Sequence, residues 1–555
     1  MCGIWALFGY DTTDVTQFTC ALTMAHRGPD CFRFENVSEM RNAKLAFHRL
    51  EVVGNVGGMQ VMTSSTHDQL PHLTLICNGE IYNCRKLKEE FAFEFESTSD
   101  CEVILHLYDK FGAEETSKLL DGVFAYVIVD TREYRVIISR DTFGIRPMFY
   151  YVTKDGQMGV CSEVKGESEF IHTSPGCGED KTGLIQAFPP AHYMVCDSKV
   201  GSHYLIGQLL KCCYVTGDNN DVIKKNIRTL MTNAVEKRLM SYRRVGSLLS
   251  GGLDSSLVAA ITAQKLRERG VEQPIQTFSI GVESSPDVIA ARKVAEHIKS
   301  EHHEVTFSPQ EGIRALEETI FALESYDVTT VRASIPMYLI SRYISENTDT
   351  IVIMSGEGAD ELAQGYIYFH KQPSPQEGDI ESKRLLTDLY LFDVLRTDRS
   401  TAAHGLEVRA PFLDHAFVSY FLSLPASKRM PQVSNGVEKH LLRSSFDGTN
   451  LIPTEILWRR KEAFSDGVTS KKRSWFEILQ EHIDSMISDE ELDKARENYP
   501  FHTPRTKEAL FYRRTFESKF GSKLSKLIPY QWLPRWTGSD DPSARVLAHY
   551  QNDEE

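Results

Sequence analysis

The chain has no apolar run approaching the roughly 20 residues needed to cross a bilayer. Its first residues, Met-Cys-Gly-Ile-Trp-Ala-Leu-Phe-Gly, lack the basic segment of a secretion signal. There is no Gly-x-x-x-x-Gly-Lys-Ser/Thr, so a Walker-type enzyme that cleaves between the β and γ phosphates is not indicated. Basic charge is not in excess either. A net charge of −15 argues against holding nucleic acid or an anionic membrane by bulk electrostatics. No cysteine follows Cys213, and the 11 cysteines are scattered without metal-ligand spacing. An odd number with no framework reads as free thiols in a reducing compartment, which makes the cytosol the expected location.

What is present is ordinary in composition, 41% hydrophobic and 25% charged. At 555 residues the chain is too long for one core, so two or more domains are expected. The informative stretch is Val245 to Ser256. A short apolar run ending at Leu249 predicts a buried parallel strand; it meets Ser250-Gly251-Gly252, and a helix pattern follows from Leu257. A strand that runs through glycines into a helix start aims unpaired backbone N–H groups at one point. Together with the helix dipole these bind a phosphate. An ordinary glycine turn is the plain alternative. Hydroxyls on both sides, plus Asp254 able to face a magnesium ion on the same phosphates, favour a nucleotide loop.

The first two hundred residues are mostly strand-like. Runs at 2–8, 44–53, 72–77, 123–129, 134–139 and 148–152 are short and apolar or alternating. Helices are predicted from about Asn83, covering 85–91, and over 101–111. Many strands with two helices suggest stacked sheets with helical outer layers. Cys2 follows the initiator Met, and a small second residue usually allows that Met to be removed. Its thiol and a free α-amino group would then sit on adjacent atoms. With an α-amino pKa near 7.7–8.0, roughly a tenth to a sixth of that amine is unprotonated at neutral pH. It can therefore serve as base for its own thiol. A buried structural cysteine is the competing reading. Nearby in sequence are a polar turn, His26-Arg27-Gly28-Pro29-Asp30, and Arg49 at a strand end. Asn78-Gly79-Glu80-Ile81-Tyr82-Asn83 is a corner where Gly79 N–H and the Asn78 amide could meet an oxyanion. Asp100 lies just ahead of the second helix.

Met-Cys-Gly-Ile, His-Arg-Gly-Pro-Asp, Asn-Gly-Glu-Ile-Tyr-Asn and Ser-Asp-Cys-Glu-Val-Ile-Leu resemble the glutamine amidotransferase domain of the N-terminal nucleophile class. With Ser-Gly-Gly-Leu-Asp-Ser-Ser downstream, the chain resembles the glutamine-hydrolysing asparagine synthetases, most nearly the animal type, from residue 1 to about 550. The resemblance implies an α/β/β/α sandwich in which Cys2 attacks the glutamine amide, giving a thioester and ammonia. It implies that Asn78 and Gly79 form the oxyanion hole and that Arg49 pairs with the substrate α-carboxylate, a task suited to a planar guanidinium. Asp100 takes the α-ammonium, and Leu50, Glu51, Val52, Val53 and Glu80 complete the glutamine pocket. Cys84 stands where relatives often carry histidine, outside this set.

The domain join is placed at 206–220, between a glutaminase domain at 1–205 and a second domain at 221–535, with a polar tail at 536–555. After a helix at 222–240 and the Val245 stretch, the pattern alternates. Strands are predicted at 275–282, 303–307 and 350–354, and helices at 287–297, 311–323 and 335–344. Such alternation predicts an α/β domain with a doubly wound parallel sheet and ligands at the carboxyl ends of its strands. Ile280-Gly281 ends one strand, where backbone could bond an adenine edge. Ser355-Gly356-Glu357-Gly358-Ala359-Asp360-Glu361 ends another; a solvated acidic helix start is the alternative there.

The loop is similar to that of ATP pyrophosphatases, which release pyrophosphate and transfer AMP. The resemblance assigns ATP to Leu249, Ser250, Gly251, Gly252, Leu253, Asp254, Ser255, Ser256, Ile280, Ser355 and Gly356. Aspartate goes to Thr329, Thr330 and Arg332, and Mg2+ to Asp254 and Asp360. Lys461, which would otherwise read as a solvated residue in Arg-Arg-Lys-Glu, is placed on the α-phosphate, where charge develops as pyrophosphate leaves. Glu357 is the candidate for orienting or deprotonating the incoming nitrogen, and Ala359 stands where many relatives have serine. The implied reaction converts aspartate to β-aspartyl-AMP and then, with ammonia from the first site, to asparagine. Because water would protonate and dilute ammonia, a dry passage between the sites is expected. The implied assembly is a homodimer with no nucleic-acid or membrane partner. A lactam-forming relative needs no external ammonia, and Cys2 weighs against it; a silent scaffold on this fold is opposed by Cys2, Asn78, Asp254, Glu357 and Lys461 all being present.

Overall fold

A computed structural model describes residues 1–11, 13–40, 42–54, 70–153, 156–167, 185–197, 203–207, 219–281, 285–431, 437–461 and 475–538. Most of the expected join and all but the start of the expected tail lie outside these residues. The chain divides into two compact units. One holds 1–210 with 240–243 and 402–407; the other holds 211–239, 244–401 and 408–555.

In the first unit, one sheet contains β1 (Gly3–Phe8), β2 (Cys31–Val37), β3 (Ala43–Arg49), β7 (Phe149–Val152), β8 (Met158–Cys161) and β9 (Gln186–Ala187), in the order β2-β3-β1-β8-β7-β9. A second sheet contains β4 (Leu73–Ile81), β5 (Gly122–Asp130), β6 (Arg135–Arg140), β10 (His192–Asp197) and β11 (His203–Gly207), in the order β11-β10-β6-β5-β4. The alternation along β5 shows why these strands form layers. Ala125, Val127 and Val129 join Ile4, Ala6, Leu45 and Phe47 in a core between the sheets. Phe124, Tyr126 and Ile128 point the other way, onto α2 (Cys84–Phe91) and α3 (Val103–Leu119). A strand buried on both faces reads as a continuous apolar run. Helix α1 (Asp14–Leu22) covers the outer face of the first sheet, where Phe18 meets Phe32 and Phe34 edge-on.

The strand expected at 44–53 stops at Arg49. Beyond it the backbone turns, the Glu51 N–H bonds the Asp30 carboxylate at 2.7 Å, and Gly54 has φ +91°. The sequence pattern also passed over α1, β2, β8 and β10.

The second unit is built on β12 (Arg244–Leu248), β13 (Gln276–Ile280), β14 (Glu301–Val305), β15 (Thr350–Met354) and β16 (Glu407–Arg409), in the order β14-β13-β12-β15-β16. Pairing is parallel from β14 through β15. The chain proceeds outward from β12 to β14, then returns to place β15 on the other side of β12. A doubly wound sheet opens its ligand crevice at such a reversal. The helices that matter here are α4 (Asn220–Lys237), α5 (Leu253–Glu268), α6 (Pro286–Ile298), α7 (Val328–Asn347), α8 (Asp393–Ala402) and α9 (Lys507–Phe520).

Two helices differ from expectation for identifiable reasons. The single helix expected at 311–323 is two, Pro309–Arg314 and Leu316–Leu323, the first opened by a Ser308–Glu311 capping box with Pro309 at its first turn. Helix α7 begins seven residues before the expected 335, at an Asp327 cap bonded to the Thr330 N–H at 2.9 Å, and carries Pro336 in its interior. That proline hid the first turns.

Candidate active sites

In the first unit Cys2 precedes β1 and is 7% exposed, with its thiol 3.8 Å from the Leu50 carbonyl. With Met1 in place the Cys2 nitrogen is a peptide nitrogen, and burial pushes the thiol up to about 11. Burial also lowers the Met1 amine to about 6, against the opposing pull of Glu407. The His26–Asp30 turn, whose purpose the sequence left open, holds both sides of this site. Arg27 is fully buried, donates Nε to the Cys2 carbonyl at 3.0 Å, and pairs with Glu163 at 2.6 Å. Asp30 takes the Glu51 N–H in the pocket wall.

Asn78 and Gly79 lie in β4 opposite Ala125 and Phe124. Only glycine fits at position 79, because a Cβ there would come 2.3 Å from the Val123 carbonyl oxygen. The Asn78 side chain is completely buried, yet neither its nitrogen nor its oxygen has a hydrogen-bond partner. Leaving such an amide unsatisfied costs about 1–3 kcal/mol per group, so it signals a ligand to come. Arg49 shows the same sign: it is 4% exposed, and one terminal nitrogen has no hydrogen bond and only a 3.7 Å contact with Glu51. Asp100 accepts the Ile81 N–H at 2.6 Å, fixing it to the end of β4. Leu50, Glu51, Val52 and Val53 follow β3, and Glu80 follows Gly79 within β4.

The second unit has a cavity at the carboxyl ends of β12, β13 and β15. Of the residues expected on ATP, Leu249, Ser250, Gly252, Leu253, Asp254, Ser255, Ile280, Ser355 and Gly356 line it. Gly251 and Ser256 do not. Gly251 has φ +71° and lies so close beneath α6 that a Cβ would meet the Ala291 nitrogen at 2.4 Å. Ser256 is buried one turn into α5. The loop is tied internally by Ser250–Ser255 hydroxyls at 2.9 Å.

Thr329 and Thr330 line the same cavity with Ala333, Met337 and Ile340 along one side of α7, and the Thr329 hydroxyl is buried without a partner. Arg332, expected beside them, is elsewhere. At 100° per residue it lies 200° from Thr330 but only about 60° from Thr329 on the helix. It is held bidentate by Glu508 of α9, at 3.1 and 2.7 Å, over the Phe476 ring. Its charge is matched by Glu508, and it is not among the residues that line the cavity.

Glu357, Asp360 and Lys461 all line the cavity. Lys461 Nζ is 2.5 Å from Asp360 Oδ2, and Lys439 Nζ is 2.5 Å from Asp360 Oδ1. Lys439 also pairs with Asp254 Oδ2. Burial favours the neutral acid at Asp360, but the charges of Lys439 and Lys461 outweigh it and hold that carboxyl far below its usual range. Burial works against charged Lys461 too, and Asp360 and Asp254 overcome it. Asp360, also expected on the metal, has its Oδ1 buried with no hydrogen bond, the ion pair with Lys439 aside. Asp254 keeps Oδ1 buried with no hydrogen-bond partner. Among the described residues no three His, Cys, Asp or Glu side chains could hold a metal alone. A hard cation would meet Asp254 and Asp360 and complete its shell with phosphate oxygens and water, a donor set that fits Mg2+.

Glu357 is bound by Arg396 at 3.0 and 3.2 Å. Its pKa is raised by burial, partly offset by Arg396 and reinforced by Asp393 and Asp360. Lys439, Asp393, Arg396 and Tyr366 are site residues that sequence reasoning missed. Asp393 and Arg396, three apart on α8 and 2.8 Å from each other, look in sequence like any surface helix pair.

The family profile described as Glutamine amidotransferase domain matches residues 1–225, and that described as Asparagine synthase matches 226–384 and 374–537. The Asparagine synthetase (glutamine-hydrolyzing) of Gallus gallus is 53% identical over 568 residues, covering 100% of this chain and 99% of its own length. That of Homo sapiens is 52% identical over 568 residues, covering 100% of this chain. Among solved structures, the allosteric regulatory enzyme of purine biosynthesis overlays 56% of this chain and 81% of its own at 16% identity, with a TM-score of 0.32. With both of its units matched and relatives at this identity over the full length, the chain belongs to the glutamine-hydrolysing asparagine synthetase family.

Proposed function

We propose that this protein makes asparagine from aspartate, ATP and glutamine, and that the residues above divide the work between two sites. At the first, the Cys2 thiolate attacks the glutamine side-chain carbonyl. The negative charge that develops on oxygen meets the Asn78 amide and the Gly79 N–H. Ammonia leaves, and water hydrolyses the thioester to glutamate. Arg49 and Asp100 hold the α-carboxylate and α-ammonium, which makes the site selective for a free amino acid.

At the second site the aspartate β-carboxylate attacks the α-phosphorus of ATP, and pyrophosphate departs. A carboxylate is a poor electrophile until its oxygen becomes a good leaving group, and AMP is one. Ammonia then adds to the acyl carbon and AMP leaves with the carboxylate oxygen. The Ser250–Ser255 loop holds the outgoing phosphates, and Lys461 and Lys439 meet the charge that builds on them. Glu357 lies where it can accept the proton lost as ammonia adds, its raised pKa suiting a base that must also give the proton up. When bound, Mg2+ would neutralise phosphate charge beside Asp254. A homodimeric assembly and a cytosolic location remain part of the same proposal; no described helix is long and apolar enough to cross a membrane.

The observation that carries this reading is the pair of lysines converging on Asp360 in the cavity that also contains the loop. Purified protein given glutamine, aspartate and MgATP should form asparagine and AMP in equal amounts. ADP in place of AMP would defeat the adenylation chemistry.

A further inference from the structure

Two lysines reach the phosphate end of the cavity from segments that are far apart in sequence, Lys439 and Lys461. Something must set them together, because a lysine side chain is a flexible stem that positions nothing unless its backbone is fixed. We propose that Glu438 is the positioning residue that holds both segments in register. It rests on the reading of this cavity as the ATP site.

Glu438 does not itself line the cavity. It is 6% exposed, and its Oε1 accepts the backbone N–H of Lys461 at 2.9 Å and an Arg443 guanidinium nitrogen at 2.6 Å. Arg443 closes the link from the other side. Its Nε donates to the Glu438 carbonyl at 2.8 Å, and its other terminal nitrogen donates to the Leu457 carbonyl at 2.5 Å, four residues before Lys461. One buried carboxylate and one buried guanidinium thus bind the backbone that carries Lys439 to the backbone that carries Lys461. Lys439 itself is held at φ +55°, a conformation that costs a non-glycine residue energy and persists only when its surroundings impose it. Arg459 makes a separate tie, to the Gly251 carbonyl at 3.2 Å and to Asp287 at 2.8 Å. It secures the Ser250–Ser255 loop to the Lys461 segment. The Glu438–Arg443 pair joins the two lysine-bearing segments through their backbones, and the His440 and Trp458 rings, 5.7 Å apart, meet between the same segments.

Glu438→Gln keeps the shape and one acceptor oxygen but loses the charge that matches Arg443. In the full-length enzyme it should lower kcat for ammonium-dependent AMP formation about ten- to a hundred-fold, the scale of a small misplacement of a catalytic group. KM for aspartate should stay within about twofold, which shows that the second unit is folded, and glutamine hydrolysis at the other site should be unchanged. Glu438→Asp should recover part of the rate. The decisive measurement is a double-mutant cycle. If Glu438 acts through Lys461, adding Glu438→Gln to Lys461→Met should cost little beyond Lys461→Met alone. A rate for Glu438→Gln within twofold of the parent, or fully multiplicative losses in the double variant, would overturn the proposal. Titration with pyrophosphate separates this from failure of the ATP-site reading. If the unmodified enzyme did not bind pyrophosphate, or Lys461→Met bound it as tightly as the parent, the underlying site assignment would be wrong instead.

Discussion

The Lys461 ammonium and the Asp360 carboxylate lie 2.5 Å apart in the cavity beside the Ser250–Ser255 loop, so the cation proposed for the nucleotide is oriented by a fixed carboxylate. Preorganised charge is effective because the enzyme does not have to rearrange as the reaction proceeds. Lys461→Met should reduce synthesis about a hundred- to a thousand-fold. Asp360→Asn should be milder than Asp360→Ala, since the amide still accepts one hydrogen bond. All three variants should leave glutamine hydrolysis intact, as measured by glutamate release without ATP. Loss of hydrolysis in any of them would mean that the aspartate and lysine serve the whole fold.

Cys2→Ala removes the nucleophile without touching the second unit. Glutamine-dependent asparagine formation should fall to background, while synthesis from an added ammonium salt should continue at the parent rate. Parallel measurement with the two nitrogen sources decides it. If both activities vanish, one cysteine is serving both reactions and the two-site division fails. Asp254→Asn should give the converse pattern: hydrolysis kept, synthesis from either nitrogen source crippled.

With Met1 present the thiol of Cys2 is pushed up to about 11 by burial, and the α-amine that acts on it belongs to Met1. Removal of Met1 turns the Cys2 nitrogen into an α-amine adjacent to the thiol, able to take its proton. Protein prepared with Met1 blocked from removal should therefore hydrolyse glutamine at least a hundredfold more slowly. It should also react slowly with iodoacetamide at pH 8. Intact-mass measurement of the N-terminus alongside the assay checks this, and equal activity in the two forms would show that the α-amine is not the base.

Legibility in the sequence followed chemistry more than layout. The loop at Ser250–Ser255 and the Asn78–Gly79 pair announce themselves by residue type, although the second lies within β4 and not at the expected corner. Lys439 carries no such mark, since its importance comes from a left-handed backbone turn and a contact with Asp360, seventy-nine residues earlier. The pairing of Arg332 with Glu508 of α9 could not be read from the sequence, because the partner lies 176 residues away. Helix α1 escaped notice because its buried residues are Gln17, Cys20 and Ala21, while Val15, Phe18 and Leu22 remain exposed, so its apolar period points the wrong way. The parallel sheet was readable because β12, β13 and β15 each end where a helix pattern resumes.

Acid stability of the second unit should depend on Asp414. This carboxylate is 2% exposed, pairs with Arg238 at 2.9 Å and with Lys237, and caps the helix His415–Ser423 through the N–H groups of Ala416 and Phe417. Burial would raise its pKa, but the two cations win and bring it from 3.8 to about 2. A carboxyl with a folded pKa below its unfolded one lends stability that is fully present above pH 4 and is lost as pH falls through 2. The depression is equivalent to about 2 kcal/mol. Asp414→Asn removes the titration, so urea unfolding of the second unit should show the variant weaker than the parent by at least about that much at pH 7. The gap should narrow steadily between pH 4 and pH 2, as the parent carboxylate takes up the proton that the amide never needed. A gap of constant size across that range would mean that packing and the cap bonds, rather than charge, are what Asp414 contributes.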